Sequence, residues 1–244
     1  MKKCFACVVL LLGCVCAFGQ SYSFDRKFDG VHKNEIITDI TAGYNVITGM
    51  FVGQAAFFTH HFTDRWSISG SEQYQFMKNV GSLDFWGTYR LPLKRTNLYF
   101  DAHLVDNMFY PWQTNEFIAN ASAYFEGNYM DFRFGMSFIM YHKYDVKKEY
   151  YFTDRSYIEP PTLIVGLGVN IRPRNHPWNV GFFIRNYDQF FYENWNINLG
   201  VRAHARINDQ LKIISELTAR PAGSMSQLAT RYEVSYNLGV KYVW

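Results

Sequence analysis

The stretch YEVSYNLGVKYVW, residues 232–244, alternates between apolar and polar side chains along its whole length. One parity holds Tyr232, Val234, Tyr236, Leu238, Val240, Tyr242 and Trp244. The other holds Glu233, Ser235, Asn237, Gly239, Lys241 and Val243, of which only Val243 is apolar. Successive side chains of a β-strand point to opposite faces, so this period of two predicts a strand with one apolar and one polar face.

The same period of two recurs through the rest of the chain. It is clear over residues 130–140, 162–172 and 195–207, and weaker in the first three candidates, where Asp39, Gly70 and Glu72 interrupt it. Together the segments predict about twelve strands, at 36–47, 50–62, 66–77, 82–93, 97–107, 115–126, 129–141, 161–172, 178–187, 192–207, 210–220 and 229–244. No helical pattern, low-complexity linker or charge run marks a second domain, so we predict one all-β unit.

The predicted connections alternate between short and long. Tight turns follow every second strand, at 63–65, 94–96, 126–128 and 208–210, with a slightly longer one at 172–177. The intervening connections at 107–115, 142–160, 187–192 and 220–229 are longer, whereas those near Thr48 and Lys78 are short. Short turns at one end and longer loops at the other are typical of an up-and-down β-barrel that crosses a membrane.

The composition excludes several classes of protein. The chain has 244 residues and a formal charge of +3, which lacks the clustered basic excess of a nucleic-acid binder. It is 19% aromatic and 48% hydrophobic, which is far from the composition of a disordered chain. Mean hydropathy is only −0.19, so the apolar residues are interleaved with polar ones. No stretch after the N-terminus reaches about 18 uncharged apolar residues, so we predict no membrane-spanning helix.

The N-terminus has the pattern of a secretory signal. Lys2 and Lys3 precede a short apolar segment, and residues 17–19 are suited to cleavage before Gln20. We therefore predict a signal peptide at 1–19, a short leading segment at 20–35 and a transmembrane barrel at 36–244. An alternative stays open, because residues 11–14 resemble a lipobox in which Cys14 would be lipidated.

Cysteine usage agrees with this division. All four cysteines lie in the predicted signal, at Cys4, Cys7, Cys14 and Cys16. After cleavage the chain would contain no cysteine, so its stability would not depend on disulfides.

Alternation alone leaves two arrangements open, a soluble barrel with its apolar parity inside and a membrane barrel with that parity outside. Three features favour the membrane barrel. The predicted strands are long enough to cross the hydrocarbon layer when tilted. Tryptophans stand at the ends of apolar parities, where interfacial girdles form, at Trp66, Trp178, Trp195 and Trp244. The polar parity mixes Gly, Asn and Ser with charges of both signs, as a crowded lumen does.

The end of the last strand resembles a known motif. Tyr236, Leu238, Val240, Tyr242 and Trp244 place apolar residues at alternate positions before an aromatic residue. This pattern is similar to the C-terminal targeting strand of the bacterial outer-membrane β-barrel superfamily. The resemblance implies a closed antiparallel up-and-down barrel in the lipid of a Gram-negative outer membrane, inserted by the barrel-assembly machinery. It implies no particular family and no substrate.

With the polar parity inward, charges of both signs line the predicted lumen. The inward bases are Arg90, Arg133, Arg172, Arg185, Arg202, Arg206, Lys212, Arg220, Arg231 and Lys241. The inward acids are Asp39, Asp84, Asp101, Glu116, Glu126, Asp131, Glu216 and Glu233. Our candidate pore-lining residues are Arg90, Asp101, His103, Arg133, Arg185, Arg202, His204, Arg206, Lys212 and Glu216.

These charges support two interpretations. Arg185, Arg202, Arg206 and Lys212 lie on neighbouring predicted strands, which favours a narrow porin-like channel for small solutes, anions among them. The alternative is a non-conducting structural, adhesive or complex-forming barrel, in which ion pairs fill and rigidify the lumen. Such a barrel would act through its surface loops, of which 142–160 is the longest and is rich in tyrosine.

We expect neither an enzyme nor a cofactor or metal. His103 shares its face with Asp101, but no serine completes a nucleophilic arrangement with them. Residues 166–168 lack the third glycine and the helix of a nucleotide-binding loop. The predicted partners are therefore membrane lipid, small solutes and a surface partner at 142–160, with no nucleic acid.

Overall fold

The computed structural model describes residues 34–45, 49–77, 79–94, 96–110, 113–143, 156–187, 197–220 and 232–244. The predicted signal peptide, residues 20–33 of the leading segment, Trp195, Arg231 and most of loop 142–160 lie outside these ranges. The strands are β1 (Asn34–Asn45), β2 (Gly49–His61), β3 (Trp66–Gln75), β4 (Val80–Pro92), β5 (Asn97–Phe109), β6 (Thr114–Glu126), β7 (Met130–Lys143), β8 (Ser156–Ile158), β9 (Thr162–Asn170), β10 (Trp178–Arg185), β11 (Asn198–Arg206), β12 (Leu211–Arg220) and β13 (Glu233–Val243).

Twelve of these strands form a closed antiparallel ring. Sequence neighbours pair from β1 to β7, β7 continues through β9 to β13, and β13 pairs with β1. At the closing seam, the Asn34 N–H donates to the Trp244 carbonyl at 2.8 Å, and the Trp244 N–H donates back at 3.0 Å. The predicted up-and-down barrel is therefore confirmed, and β1 starts two residues before its predicted boundary.

The short strand β8 is an extension of β9 that a bulge separates from it. Ser137 of β7 pairs with Thr162, whereas Met140 pairs with Ile158. Residues 159–161 therefore stand opposite only two residues of β7, Phe138 and Ile139. Pro160 and Pro161 have no N–H for the ladder, which explains why the pairing breaks there.

The two rims of the barrel differ as predicted. At one end, which we call the turn rim, the β11–β12 turn is closed by Asn208, whose Oδ1 accepts from the N–H groups of Gln210 and Leu211 at 2.8 Å each. Thr63 does the same for the β2–β3 turn through its hydroxyl. The opposite end, the loop rim, carries the connections between β7 and β8, β10 and β11, and β12 and β13.

The outer surface is apolar, whereas the inner surface is mainly polar and also holds buried apolar clusters, of which the largest contains Val105, Ile118, Ile139, Ile164 and Tyr187. On β7, the outward side chains are Met130, Phe132, Phe134, Met136, Phe138 and Met140, all exposed, whereas Asp131 and Arg133 point inward and are buried. Trp66, Trp178 and Trp244 face outward at the turn rim, as an interfacial girdle does. A closed barrel with this apolar exterior satisfies its backbone internally, as a sheet that spans a membrane must.

None of the described residues forms a helix that is long and apolar enough to cross a membrane.

Candidate functional site

The candidate site is the charged inner wall of the barrel. Twelve strands about 4.8 Å apart and tilted by about 40° give a ring about 24 Å across between backbones. Side chains that reach about 6 Å inward from each wall leave a width of about 12 Å at most. The burial of Arg185, Arg202 and Glu216 shows that inward side chains also occupy much of that remainder. Inward side chains of this length therefore decide what can enter.

Near the turn rim, Asp131 of β7 holds two arginines. Arg174, from the turn after β9, donates to Asp131 Oδ2 at 2.5 Å and to Glu126 Oε1 at 2.6 Å. Arg202 of β11 also donates to Asp131 and reaches Asn170 Oδ1 at 3.2 Å. Burial lowers the pKa of the Arg174 guanidinium, but Tyr124, Glu126 and Asp131 together raise it above its ordinary value, so this side chain stays charged.

A second ion pair joins β5 and β7. Arg133 Nη2 donates to Asp101 Oδ2 at 3.0 Å, and the Thr88 hydroxyl donates to the other carboxylate oxygen at 2.7 Å. The Arg133 guanidinium also lies 5.3 Å from the ring centres of Tyr124 and Tyr187. Arg133 is thus held against the wall by a carboxylate and two aromatic faces.

His103 pairs with a different carboxylate from the one that the sequence suggested. Its Nδ1 lies 3.1 Å from Asp84 Oδ2, and its ring stacks on Trp86 with centroids 5.2 Å apart. Asp101, two residues away on the same face, is engaged by Arg133 instead.

Arg185 and Glu216 form a third pair, between β10 and β12. Arg185 Nη2 donates to Glu216 Oε1 at 2.6 Å, and the Thr218 hydroxyl donates to the same oxygen at 3.1 Å. Arg202 stands directly opposite Glu216 in the β11–β12 register, yet its hydrogen bonds go to Asp131 and Asn170.

Three basic residues form one cross-strand row near the turn rim. Arg206 of β11 faces Lys212 of β12, which in turn faces Lys241 of β13. Lys241 Nζ lies 2.7 Å from Glu35 Oε2, and His61 Nε2 lies 3.0 Å from the other oxygen of Glu35. Like charges directly opposite one another repel, and Glu35 supplies the anionic partner at the Lys241 end of this row.

The charges of the two signs lie on different arcs of the barrel. The arc from the β9–β10 turn to β13, which we call the basic wall, carries the inward bases Arg174, Arg185, Arg202, Arg206, Lys212, Arg220 and Lys241, with Glu216 and Glu233 as the inward acids of its described strands. The arc from β1 to β7, the acidic wall, carries the inward acids Glu35, Asp39, Asp84, Asp101, Glu116, Glu126 and Asp131, with Arg90 and Arg133 as the inward arginines of its described strands. Facing walls of opposite charge create an electric field across the lumen.

All ten candidate residues lie on inward parities. Asp101, His103, Arg133, Arg185, Arg202, Lys212 and Glu216 are buried, and Arg90, His204 and Arg206 are half-buried. Arg90 donates to Asn97 Oδ1 at 3.1 and 3.0 Å, and His204 Nε2 lies 3.3 Å from the His176 carbonyl oxygen.

Three placements differ from the sequence interpretation. Arg172, assigned inward by parity, lies beyond the end of β9, where its guanidinium is 3.6 Å from the ring centre of the outward Trp178. Glu35 was placed in the leading segment, although extending the parity of Asp39 by two steps would have found it. Arg174 sits in a turn, where no period of two exists to reveal its direction.

Comparison with known proteins shows the fold. The sequence matches no protein-family profile and no curated protein. Among solved structures, a KdgM porin in complex with disordered oligogalacturonate is 11% identical, with a TM-score of 0.51 over 85% of this chain and 98% of that one. The NanC porin is 9% identical, with a TM-score of 0.53 over 84% and 98%. The translocator domain of the autotransporter NalP from Neisseria meningitidis is 11% identical, with a TM-score of 0.53 over 90% of both chains.

Proposed function

We propose that this outer-membrane β-barrel is a passive pore for small hydrophilic solutes and that its basic wall favours anions. The observation that carries the proposal is the row Arg206–Lys212–Lys241 near the turn rim. Further along the basic wall, toward the loop rim, Arg202 and then Arg185 follow it. The likeness in fold to two porins supports the class of function. At about a tenth sequence identity this likeness does not identify the solute, so the solute class is itself a proposal.

An anion would move along the basic wall by exchanging partners. At the turn rim it would meet Arg206 and Lys212, and deeper in the barrel it would compete with the carboxylates that now hold Arg202 and Arg185. Conduction requires binding that is favourable enough for entry and weak enough for exit. Arginines already paired with wall carboxylates meet this requirement, because an incoming anion replaces a partner instead of filling an unpaired site.

The oligogalacturonate of the KdgM structure is an oligomer of a sugar acid. By analogy, we propose small carboxylated and hydroxylated solutes as the class to test first. Carboxylates suit the planar guanidinium groups of Arg185 and Arg202, and the amide side chains of Asn170 and Asn179 nearby could bond hydroxyl groups.

A non-conducting barrel is the second candidate, and the ion-pair network favours it. Arg133, Arg185 and Lys241 each engage a carboxylate within 3.0 Å, which is the arrangement expected of charges that rigidify a lumen. Under this alternative the protein would bind a surface partner through loop 142–160. Recognition by the barrel-assembly machinery is expected under both.

Single-channel recording in a planar bilayer under a salt gradient separates the two. We expect discrete current steps and an anion-favouring reversal potential. Removing one unit charge about 6 Å from a permeating ion in water changes the energy of an anion by about 0.7 kcal/mol and that of a cation by the same amount in the opposite direction. Arg206→Gln should therefore lower the anion-to-cation permeability ratio about tenfold and move the reversal potential toward that of a cation-selective pore.

The matched control is Arg172→Gln, which removes the same charge from a side chain that stacks on the outward Trp178. It should leave the reversal potential unchanged. A folded barrel that inserts and gives no current would refute the pore, and an equal shift in both variants would refute the role of the basic wall.

A further inference from the structure

We propose that Asp39, Thr41 and Glu216 form a binding site for a hard divalent cation such as Ca²⁺ on the lumen wall. The site lies where β1, β13 and β12 run side by side, at the seam that closes the barrel. The proposal of this site does not depend on which solute the pore conducts.

The strand register brings these residues together. Thr41 and Asp39 are two apart on β1 and point to the same inner face, while Glu216 lies two strands away on β12. On the intervening strand β13, Asn237 stands in register with both Thr41 and Glu216, and Gly239 stands in register with Asp39. A Cβ at Gly239 would collide with the Cβ of Asp39 and lie 3.1 Å from Cγ1 of Ile214, the buried β12 residue in register with Gly239. Asp39 and Ile214 therefore share the space over Gly239, and Glu216 lies diagonally from Asp39, one inward position beyond Ile214 on β12.

Four oxygen atoms of the three side chains are buried without a hydrogen bond to any described residue. They are both carboxylate oxygens of Asp39, the hydroxyl of Thr41 and Oε2 of Glu216. Asp39 and Thr41 are each 3% exposed, and Glu216 is 1% exposed. Buried polar atoms normally have partners, so a cluster of four oxygens that lack one points to a ligand that oxygens bind.

The uncompensated negative charge that a cation requires comes from Asp39, because Glu216 is paired with Arg185, whereas Arg202, in register with Glu216, bonds to Asp131. Asp39 and Glu216 are close enough to repel each other electrostatically. Arg185 reaches Glu216 through the other oxygen, Oε1, and Lys241, the base on β13, bonds to Glu35. The in-register neighbours of Asp39 are Gly239 and Ala55, neither of which carries charge. A buried carboxylate without a counter-charge is costly, and a bound cation removes that cost.

The donor set fits calcium better than a transition metal. All the atoms are oxygens, and Ca²⁺ accepts six to eight oxygen ligands in flexible geometry, with water completing the shell. Among the described residues, no three His, Cys, Asp or Glu side chains gather as a metal-binding group. With only two carboxylates, we expect weak binding, with a Kd of about 0.1–1 mM.

Equilibrium dialysis with ⁴⁵Ca²⁺ on the folded barrel in detergent, at constant ionic strength, tests the site. The wild-type chain should bind one saturable Ca²⁺. Asp39→Asn should weaken binding at least tenfold, because it removes the carboxylate that has no other partner. Thr41→Val keeps the shape of the side chain without its hydroxyl and should weaken binding by a smaller factor.

Glu116→Gln is the matched control, since Glu116 is an equally buried inward carboxylate that accepts from Asn107 on the acidic wall. It should bind Ca²⁺ as the wild type does. The site is refuted if the wild type shows no saturable binding or if Asp39→Asn binds equally tightly. It is also refuted if Asp39→Asn raises the thermal midpoint equally with and without Ca²⁺, because Asp39 then needs only a proton.

This measurement does not depend on current. A barrel that binds Ca²⁺ but carries no current would refute the pore and support the cation site. A barrel that carries current but binds no Ca²⁺ would refute the cation site and support the pore.

Discussion

Replacing Asp131 by Asn should destabilise the barrel and at the same time increase its preference for anions. Asp131 is the carboxylate shared by Arg174 and Arg202, both of which are buried. The Asn side chain can still accept one hydrogen bond, but it leaves two buried guanidinium groups with one counter-charge fewer. Removing one partner of a buried ion pair costs about 3–5 kcal/mol, and Glu126 compensates Arg174 in part. We therefore expect a loss of about 3 kcal/mol in the free energy of unfolding.

The assay is urea unfolding of the barrel in lipid vesicles, followed by tryptophan fluorescence, with single-channel selectivity measured on the same preparations. Asp209→Asn, which makes the same change in an exposed turn, should stay within about 0.5 kcal/mol of the wild type. A loss below about 1 kcal/mol for Asp131→Asn would show that the two arginines do not depend on this carboxylate. Unchanged selectivity would show that the acidic wall does not influence permeating ions.

Two further substitutions test the packing and the orientation of the wall. Gly135→Ala on β7 places a Cβ against the Ala121 carbonyl oxygen and 2.7 Å from Ser122 Cα, so we expect a loss of about 1–3 kcal/mol in urea unfolding. Gly87→Ala, with no atom within 4 Å of its new Cβ, should be neutral, and equal losses in both would contradict the packing argument. Phe134→Arg in the middle of β7, where Phe134 is 49% exposed to lipid, should cost about 2–4 kcal/mol in vesicles. Met130→Arg at the turn-rim end of the same strand should cost about 0–1 kcal/mol, and equal costs would place the lipid boundary elsewhere.

Strand positions and faces were predictable because lipid on one side and charge on the other impose a strict period of two. Two of the three interruptions that weakened the N-terminal pattern, Asp39 and Glu72, have separate explanations. Asp39 obeys the parity and points inward. Glu72 does point outward, but it lies three residues before the loop-rim end of β3, about 8 Å below that end along the membrane normal. Near the interface, a carboxylate on the outer face is tolerated.

The pairing of the lumen charges could not be read from parity. Parity assigns a side chain to a face, whereas its partner depends on the barrel register and on how far a long side chain reaches. Arg202 shows this, because it stands opposite Glu216 but bonds to Asp131, across β10 and β9. Arg174 reaches the lumen from a turn, where the backbone direction follows from turn geometry instead of strand alternation.

The seam between β1 and β13 makes folding of this chain an all-or-none event. Asn45 and Glu233, which hydrogen-bond at 2.9 Å across the seam, are separated by 188 positions in the sequence. Until they meet, the sheet has two open edges whose N–H and C=O groups cannot be satisfied in lipid. The ring can close only after every intervening strand has been placed, so a partly assembled barrel must be shielded from the hydrocarbon layer until the last strand docks against the first. A cation bound at Asp39 and Glu216 would therefore link β1 to β12 across β13, because its ligands come from both sides of that seam.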